Sequence, residues 1–161
     1  MATTYSEIYE EFLDRITDPD LLLLSELSQE ETKRVYLEFA VQKIQDYVTT
    51  ADLTKRTTVE IENDFGNLEE VDAFEDDLDN NVRVMLADYM TLAWLRPYMN
   101  NADLLRLHMN TKDFNTTSPA NLLEKIGERY DEARRRARSL RNEYTYFTND
   151  VSALSTSKPK P

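Results

Sequence analysis

The sequence predicts an all-α protein: a helical bundle of four to six helices with a long C-terminal helix, an acidic loop and a flexible C-terminal tail. Three observations predict it. Only 2 glycines and 5 prolines occur in 161 residues, too few for a turn-rich β fold. Apolar residues recur every third or fourth position in several segments, the period of an amphipathic helix. Between residues 123 and 147 they form an unbroken heptad seam of Leu123, Ile126, Tyr130, Ala133, Ala137, Leu140, Tyr144 and Phe147.

The elements follow in order. Tyr5, Ile8, Tyr9, Phe12, Leu13 and Ile16 make the first apolar stripe. Asp18-Pro19 reads as an N-cap and first-turn proline opening a short helical turn through the leucine run. Ser28 and Glu31 have capping-box spacing, so a second helix is expected from there to about Val48, burying Val35, Ile44 and Val48 with help from Phe39 and Tyr47. Residues 49–58 are a polar connector, and TTVEI at 57–61 is expected as a brief extended piece. Asp79 should cap a helix burying Val82, Met85, Leu86, Tyr89, Met90, Ala93 and Trp94, with Pro97 ending it. Asn101 would cap a short helix containing Leu104, Leu105 and Leu107; residues 112–121 would form a loop, and Ser118-Pro119 would start the last helix. That helix would run roughly 40 Å at 1.5 Å per residue. One helical domain, 1–147, and a tail, 148–161, are the expected organisation.

Charge is unevenly distributed. The net charge is -12, yet residues 121–161 carry 9 basic against 6 acidic side chains. Residues 60–79 hold ten carboxylates and no lysine or arginine, and should self-repel as a solvated acidic arm. Its adjacent pairs include Glu69-Glu70 and Asp76-Asp77. With no cysteine, disulfides and thiolate metal sites are excluded. His108 is the only histidine, so one chain cannot build a histidine pair, and a surface or helix-capping place is expected for it. Gly66 and Gly127 stand alone, which leaves no phosphate-cradling loop, and the EF-hand register fails around Gly66. No catalytic residue, metal ligand or cofactor is implied. No apolar run approaches the roughly 20 residues of a membrane span, and there is no basic-then-apolar leader. A soluble, intracellularly made, non-enzymatic protein is expected.

Residues 133–141, ARRRARSLR, carry five arginines. Arg134, Arg138 and Arg141 share one flank of the helix, while Arg135 and Arg136 project to other sides. Three readings stay open: a solvated helical flank supported by Glu128, Asp131 and Glu132, pairing with carboxylates of a neighbouring subunit, or contact with phosphate. The last is disfavoured, because a chain of pI about 4.5 lacks the broad basic footprint of a DNA binder.

Residues 74–147 resemble the small helical neck proteins of tailed bacteriophages, the head–tail connector (adaptor, or head-completion) family. The resemblance is carried by the lead-in FEDDL (74–78), the helix ending MTLAWLRPYMN (90–100), a short leucine helix, KDF (112–114), SPANLLEKI (118–126) and the terminal YTYF (144–147). It implies a structural virion protein, made in the host cytoplasm, that forms a ring of about twelve copies by head-to-tail contacts. Such a ring would sit beneath the portal protein, extend the channel for passing double-stranded DNA without reading its sequence, and present a surface to the next neck or tail protein. In that setting Arg134, Arg135, Arg138 and Arg141 would meet a neighbour's carboxylates, with Glu69, Glu70, Asp76 and Asp77 as counterparts. Trp94, Leu95 and Tyr98 would anchor the junction of central and terminal helices. The tail, with Val151, Leu154, Lys158 and Lys160, would reach the portal or an adjacent subunit and order there. The alternative is an acidic helical adaptor that binds a basic partner or mimics nucleic acid, supported by the ten-carboxylate arm.

Overall fold

The computed structural model describes residues 2–16, 26–100 and 119–148. Their elements are β1 (Thr3–Thr4), α1 (Tyr5–Leu13), α2 (Glu26–Ile44), β2 (Arg56–Glu62), β3 (Leu68–Phe74), α3 (Asn80–Asn100) and α4 (Pro119–Thr148). The three strands form one antiparallel sheet in the order β1-β3-β2. The fold is therefore α+β, and the all-α expectation is corrected. Central α3 packs against α1, α2 and α4, and the sheet joins this body through β1 and the base of β3.

The acidic arm is where the sequence reading fails. Residues 60–74 are not a solvated loop; with 56–59 they form the β2–β3 hairpin, paired from Arg56↔Phe74 to Glu62↔Leu68. Alternation explains it. Thr57, Val59 and Ile61 share one face with Val71 and Ala73, so β-branched side chains meet across the strands despite the charge around them. The expected extended piece at 57–61 is present and continues to Glu62. Asn63 organises the turn: its side chain accepts from the N–H of Phe65 (3.1 Å) and of Asn67 (3.0 Å), and its own N–H bonds the Asn67 carbonyl. Gly66 completes the turn at φ 77°, in the left-handed region. A Cβ there would meet only Glu62 Oε1, at an ordinary 3.5 Å, so the cost of substitution is conformational. Gly66→Ala should loosen the hairpin by about 1 kcal/mol, read as faster hydrogen exchange of the cross-strand amides of 60–70. Unchanged exchange would show that the turn relaxes without Gly66.

α1 buries Tyr5, Ile8, Tyr9 and Phe12 as expected. Its start is a capping box: Thr4 Oγ1 accepts from Glu7 N (3.4 Å) and the Glu7 carboxylate accepts from Thr4 N (2.9 Å). The sequence signal for it is T-x-x-E at 4–7. The Ser28/Glu31 box is not used, because α2 already includes Glu26; Ser28 lies inside the helix, its carbonyl bound by Thr32 Oγ1 at 2.8 Å. α2 ends at Ile44 and gives way to a turn that carries buried Val48. Its buried apolar residues are Leu37, Ala40, Val41 and Ile44, whereas Val35, expected inside, is 65% exposed.

Asp79 caps α3 as expected, its Oδ1 accepting from Val82 N at 3.0 Å. Pro97 does not end the helix, which continues to Asn100. A proline in the last turn removes one backbone hydrogen bond at roughly 3 kcal/mol. Burial of Trp94 and Leu95, together with half-buried Tyr98, offsets that at about 1.5–3 kcal/mol per fully buried side chain. α4 starts at Pro119 and keeps the seam at its centre: Ala137 and Tyr144 are buried, and Tyr130, Ala133 and Leu140 pack beside them. Phe147, the last seam position, is 79% exposed. The expected features at Asp18-Pro19, Asn101–Leu107, His108, 112–118 and the tail lie outside the described residues, as does the side chain of Leu123.

Candidate subunit interface

The five arginines of α4 do different things. Arg136, expected to point away from the others, turns inward toward Asp88, a carboxylate on α3 with only 6% of its side chain exposed. Arg136 Nε stands 3.3 Å from Asp88 Oδ2, an ion pair without an aligned hydrogen bond. Arg15, just beyond α1, donates from Nε to Asp88 Oδ1 at 3.0 Å and also pairs with Glu11 at 3.6 Å. One buried carboxylate thus ties α3 to α4 and to the end of α1. Burial raises the Asp88 pKa above its ordinary 3.8, and the two guanidiniums only partly counter that.

Arg141 is also held within its own chain. Its guanidinium stacks 4.2 Å from the Tyr47 ring centroid, where α2 has just ended. Nearby, Tyr144 Oη and Thr50 Oγ1 are 2.6 Å apart. The expected flank of Arg134, Arg138 and Arg141 therefore divides, with Arg141 serving helix packing. Arg134, Arg135 and Arg138 remain exposed, and no described carboxylate lies within ion-pair distance of them. With Glu128, Asp131 and Glu132 they line an open hollow of about 500 Å³.

The acidic candidates divide in the same way. Asp72, at the hairpin base, pairs with Arg34 of α2 at 3.1 Å, and Arg56 pairs with Glu38 at 3.2 Å. Asp76 accepts from Asp52 N at 2.7 Å and so ties the 49–54 segment to the strand exit; Asp77 is exposed beside it. Hydrogen bonds from Thr54 hold the Asp52 carboxylate below its ordinary pKa of 3.8. Farther out, residues 60–70 are all exposed apart from half-buried Asn63. Glu60 lies opposite Glu70, a like-charge pair that costs stability, and no described cation pairs with Glu60, Glu62, Asp64, Glu69 or Glu70. The hairpin end thus carries concentrated, uncompensated negative charge on a fixed scaffold. It also carries Phe65 (88% exposed) and Leu68 (70%), apolar residues whose signal in the sequence is masked by the carboxylates around them.

Trp94 and Leu95 are buried near the end of α3, and the Trp94 ring meets Tyr98 edge-on at 5.6 Å. The connection from α3 to α4 lies outside the described residues, as do Val151, Leu154, Lys158 and Lys160. Among the described residues no group of three or more histidine, aspartate or glutamate side chains is gathered to hold a metal ion. No described helix is long and apolar enough to cross a membrane. No family model matches the chain, and neither a curated protein nor a solved structure is significantly similar to it.

Proposed function

We propose that the chain is a structural neck subunit of a tailed phage, a head–tail connector that assembles as a ring below the portal and extends the DNA channel. The observation that carries this reading is the separation of unsatisfied charge on one subunit. Among the described residues the carboxylates that crowd the hairpin end have no cationic partner, and Arg134, Arg135 and Arg138 on α4 have no acidic one. A subunit with different charges on different faces suits head-to-tail packing, in which each copy meets its two neighbours through different surfaces. The resemblance of residues 74–147 to the connector family adds to this. An acidic subunit would also leave passing DNA unbound, since phosphate contacts dominate affinity for the duplex.

In this reading the three arginines are available to carboxylates of another chain of the neck. Reversing them together, Arg134→Glu, Arg135→Glu and Arg138→Glu, should leave the fold intact because all three are exposed. It should abolish retention of the chain on a purified portal ring, measured by co-sedimentation at low salt. Wild-type retention by the reversed variant would remove the arginines from the interface. Retention instead on a basic protein, with the portal ignored, would favour an acidic adaptor.

A further inference from the structure

The hairpin end has a chemistry that its own copy leaves unused. Phe65 and Leu68 are the most exposed apolar residues of the hairpin, and Glu62, Asp64, Glu69 and Glu70 surround them. No lysine or arginine occurs between Arg56 and Arg83. An occupant-binding surface for this end must combine an apolar hollow with a cationic rim.

One such surface adjoins the hairpin's anchor on α2, where Arg34 and Glu38 line it. Two adjoining hollows of about 540 and 350 Å³ share Val35 and Phe39, and the smaller one continues between α2 and α3 to Ala93 and Pro97. Val35 is 65% exposed there, an apolar side chain at a helix position that the body does not cover. The rim is cationic: Lys43 Nζ lies 5.3 Å and the Arg96 guanidinium 6.0 Å from the Phe39 centroid, and Arg34 lines the larger hollow. Glu31 and Glu38 share that lining; Glu38 is already engaged by Arg56 and Arg34 by Asp72, which leaves Lys43 and Arg96 as the cations that face the groove. The α4 arginine face is a poorer match, since it offers the hairpin no apolar residue and sets Glu128, Asp131 and Glu132 against it.

We infer that the β2–β3 hairpin is a docking arm whose end seats Phe65 and Leu68 in the α2–α3 groove of a second copy, with its carboxylates against Lys43 and Arg96. The arm cannot use its own groove. The Arg34–Asp72 and Arg56–Glu38 pairs pin its base to α2, and the strands then run outward at about 3.3 Å per residue. Phe65 consequently ends up exposed to solvent rather than folded back on α2. Arm and groove are different patches, so the contact is heterologous: each copy gives one arm and receives one, and repetition closes a ring where the rotation permits. The inference rests on the self-assembling neck subunit proposed above, and supplies the contact that would join its copies.

The test uses the full chain. Phe65→Asp and Val35→Asp change exposed side chains, so each variant should keep the wild-type circular dichroism spectrum. Where wild type assembles, alone or on a portal ring, each variant should fall to monomer in sedimentation velocity. An equimolar mixture of the two should give a one-to-one dimer and nothing larger, because one intact arm then meets one intact groove. The chain has no cysteine, so Phe65→Cys in one population and Val35→Cys in another should give a 65–35 cross-link between copies on mild oxidation, and carrying out the oxidation in 1 M salt, where the Debye length is about 3 Å, or in a chain that also carries Phe39→Asp, should suppress it. A wild-type assembly that survives Phe65→Asp and shows no 65–35 cross-link overturns the arm while leaving the neck reading intact. A wild-type chain that is monomeric at every concentration and ignores the portal overturns both.

Discussion

Phe74→Ala is expected to lower the unfolding free energy by about 4 kcal/mol, measured by urea denaturation at neutral pH. Phe74 is fully buried at the point where the sheet meets the helices. Its ring lies 5.2 Å from that of Tyr5, and the Arg56 guanidinium stacks on it at 4.2 Å. In register it pairs with Thr3 of β1 and Arg56 of β2, so one side chain anchors both strand contacts of β3 to the core. Alanine removes the buried ring, leaves a cavity among Tyr5, Arg56 and their neighbours, and strips Arg56 of its aromatic face. Against a typical domain stability of about 5–15 kcal/mol this is a large fraction. Phe65→Ala, at the exposed end of the same hairpin, should cost almost nothing in the monomer. A loss below about 1 kcal/mol for Phe74→Ala would show that the hairpin base is not part of the core.

Asp88→Ala should cost about 3 kcal/mol, near the lower end for breaking a buried ion pair. Arg15 is four-fifths buried and would keep only Glu11, while Arg136 is 61% exposed and can return to water, which discounts its share. Asp88→Asn keeps the shape and an acceptor for Arg15, and should cost about 1 kcal/mol. The pH dependence has a definite sign. Because burial raises the folded pKa of Asp88 above 3.8, the folded state keeps this proton over a range in which the unfolded chain has lost it. The contribution of Asp88 to stability is therefore greatest below 3.8 and declines as pH rises through the folded pKa. Wild type should lose ground relative to Asp88→Asn as the pH rises from 3.8 through the folded pKa of Asp88. A gap that instead widened in favour of wild type on raising the pH would mean that the two arginines outweigh desolvation.

The helices were legible because apolar spacing reports burial directly. Tyr5, Ile8 and Phe12 on α1, Val82, Met85 and Met90 on α3, and Ala137 and Tyr144 on α4 were all expected inside and are. Asp79 marked a helix start through cap chemistry that is local in sequence, and the last helix is described from Pro119 onward. The hairpin was obscured by composition. Ten carboxylates in residues 60–79 suggested self-repulsion, yet Val59, Ile61 and Val71 alternate among them, and Asn63 with Gly66 supplies the turn. Val35 failed for a different reason: it occupies an apolar position on a helix whose surface there is open, and no local pattern reports which face a neighbour covers. The candidate interface was half visible. The arginine cluster and Glu69-Glu70 could be read from charge alone. That Arg136 would be spent on Asp88 and Arg141 on Tyr47 depends on contacts between distant segments.

The most direct test of the connector reading is the mass of the full chain in solution by light scattering, alone and then mixed with a purified portal ring. The expected result is a ring, preformed or assembled on the portal, of about twelve copies closed by heterologous contacts. A chain that stays monomeric or dimeric and leaves the portal mass unchanged would contradict the reading, and would leave the hairpin arm and the exposed arginines of α4 without a neck to build.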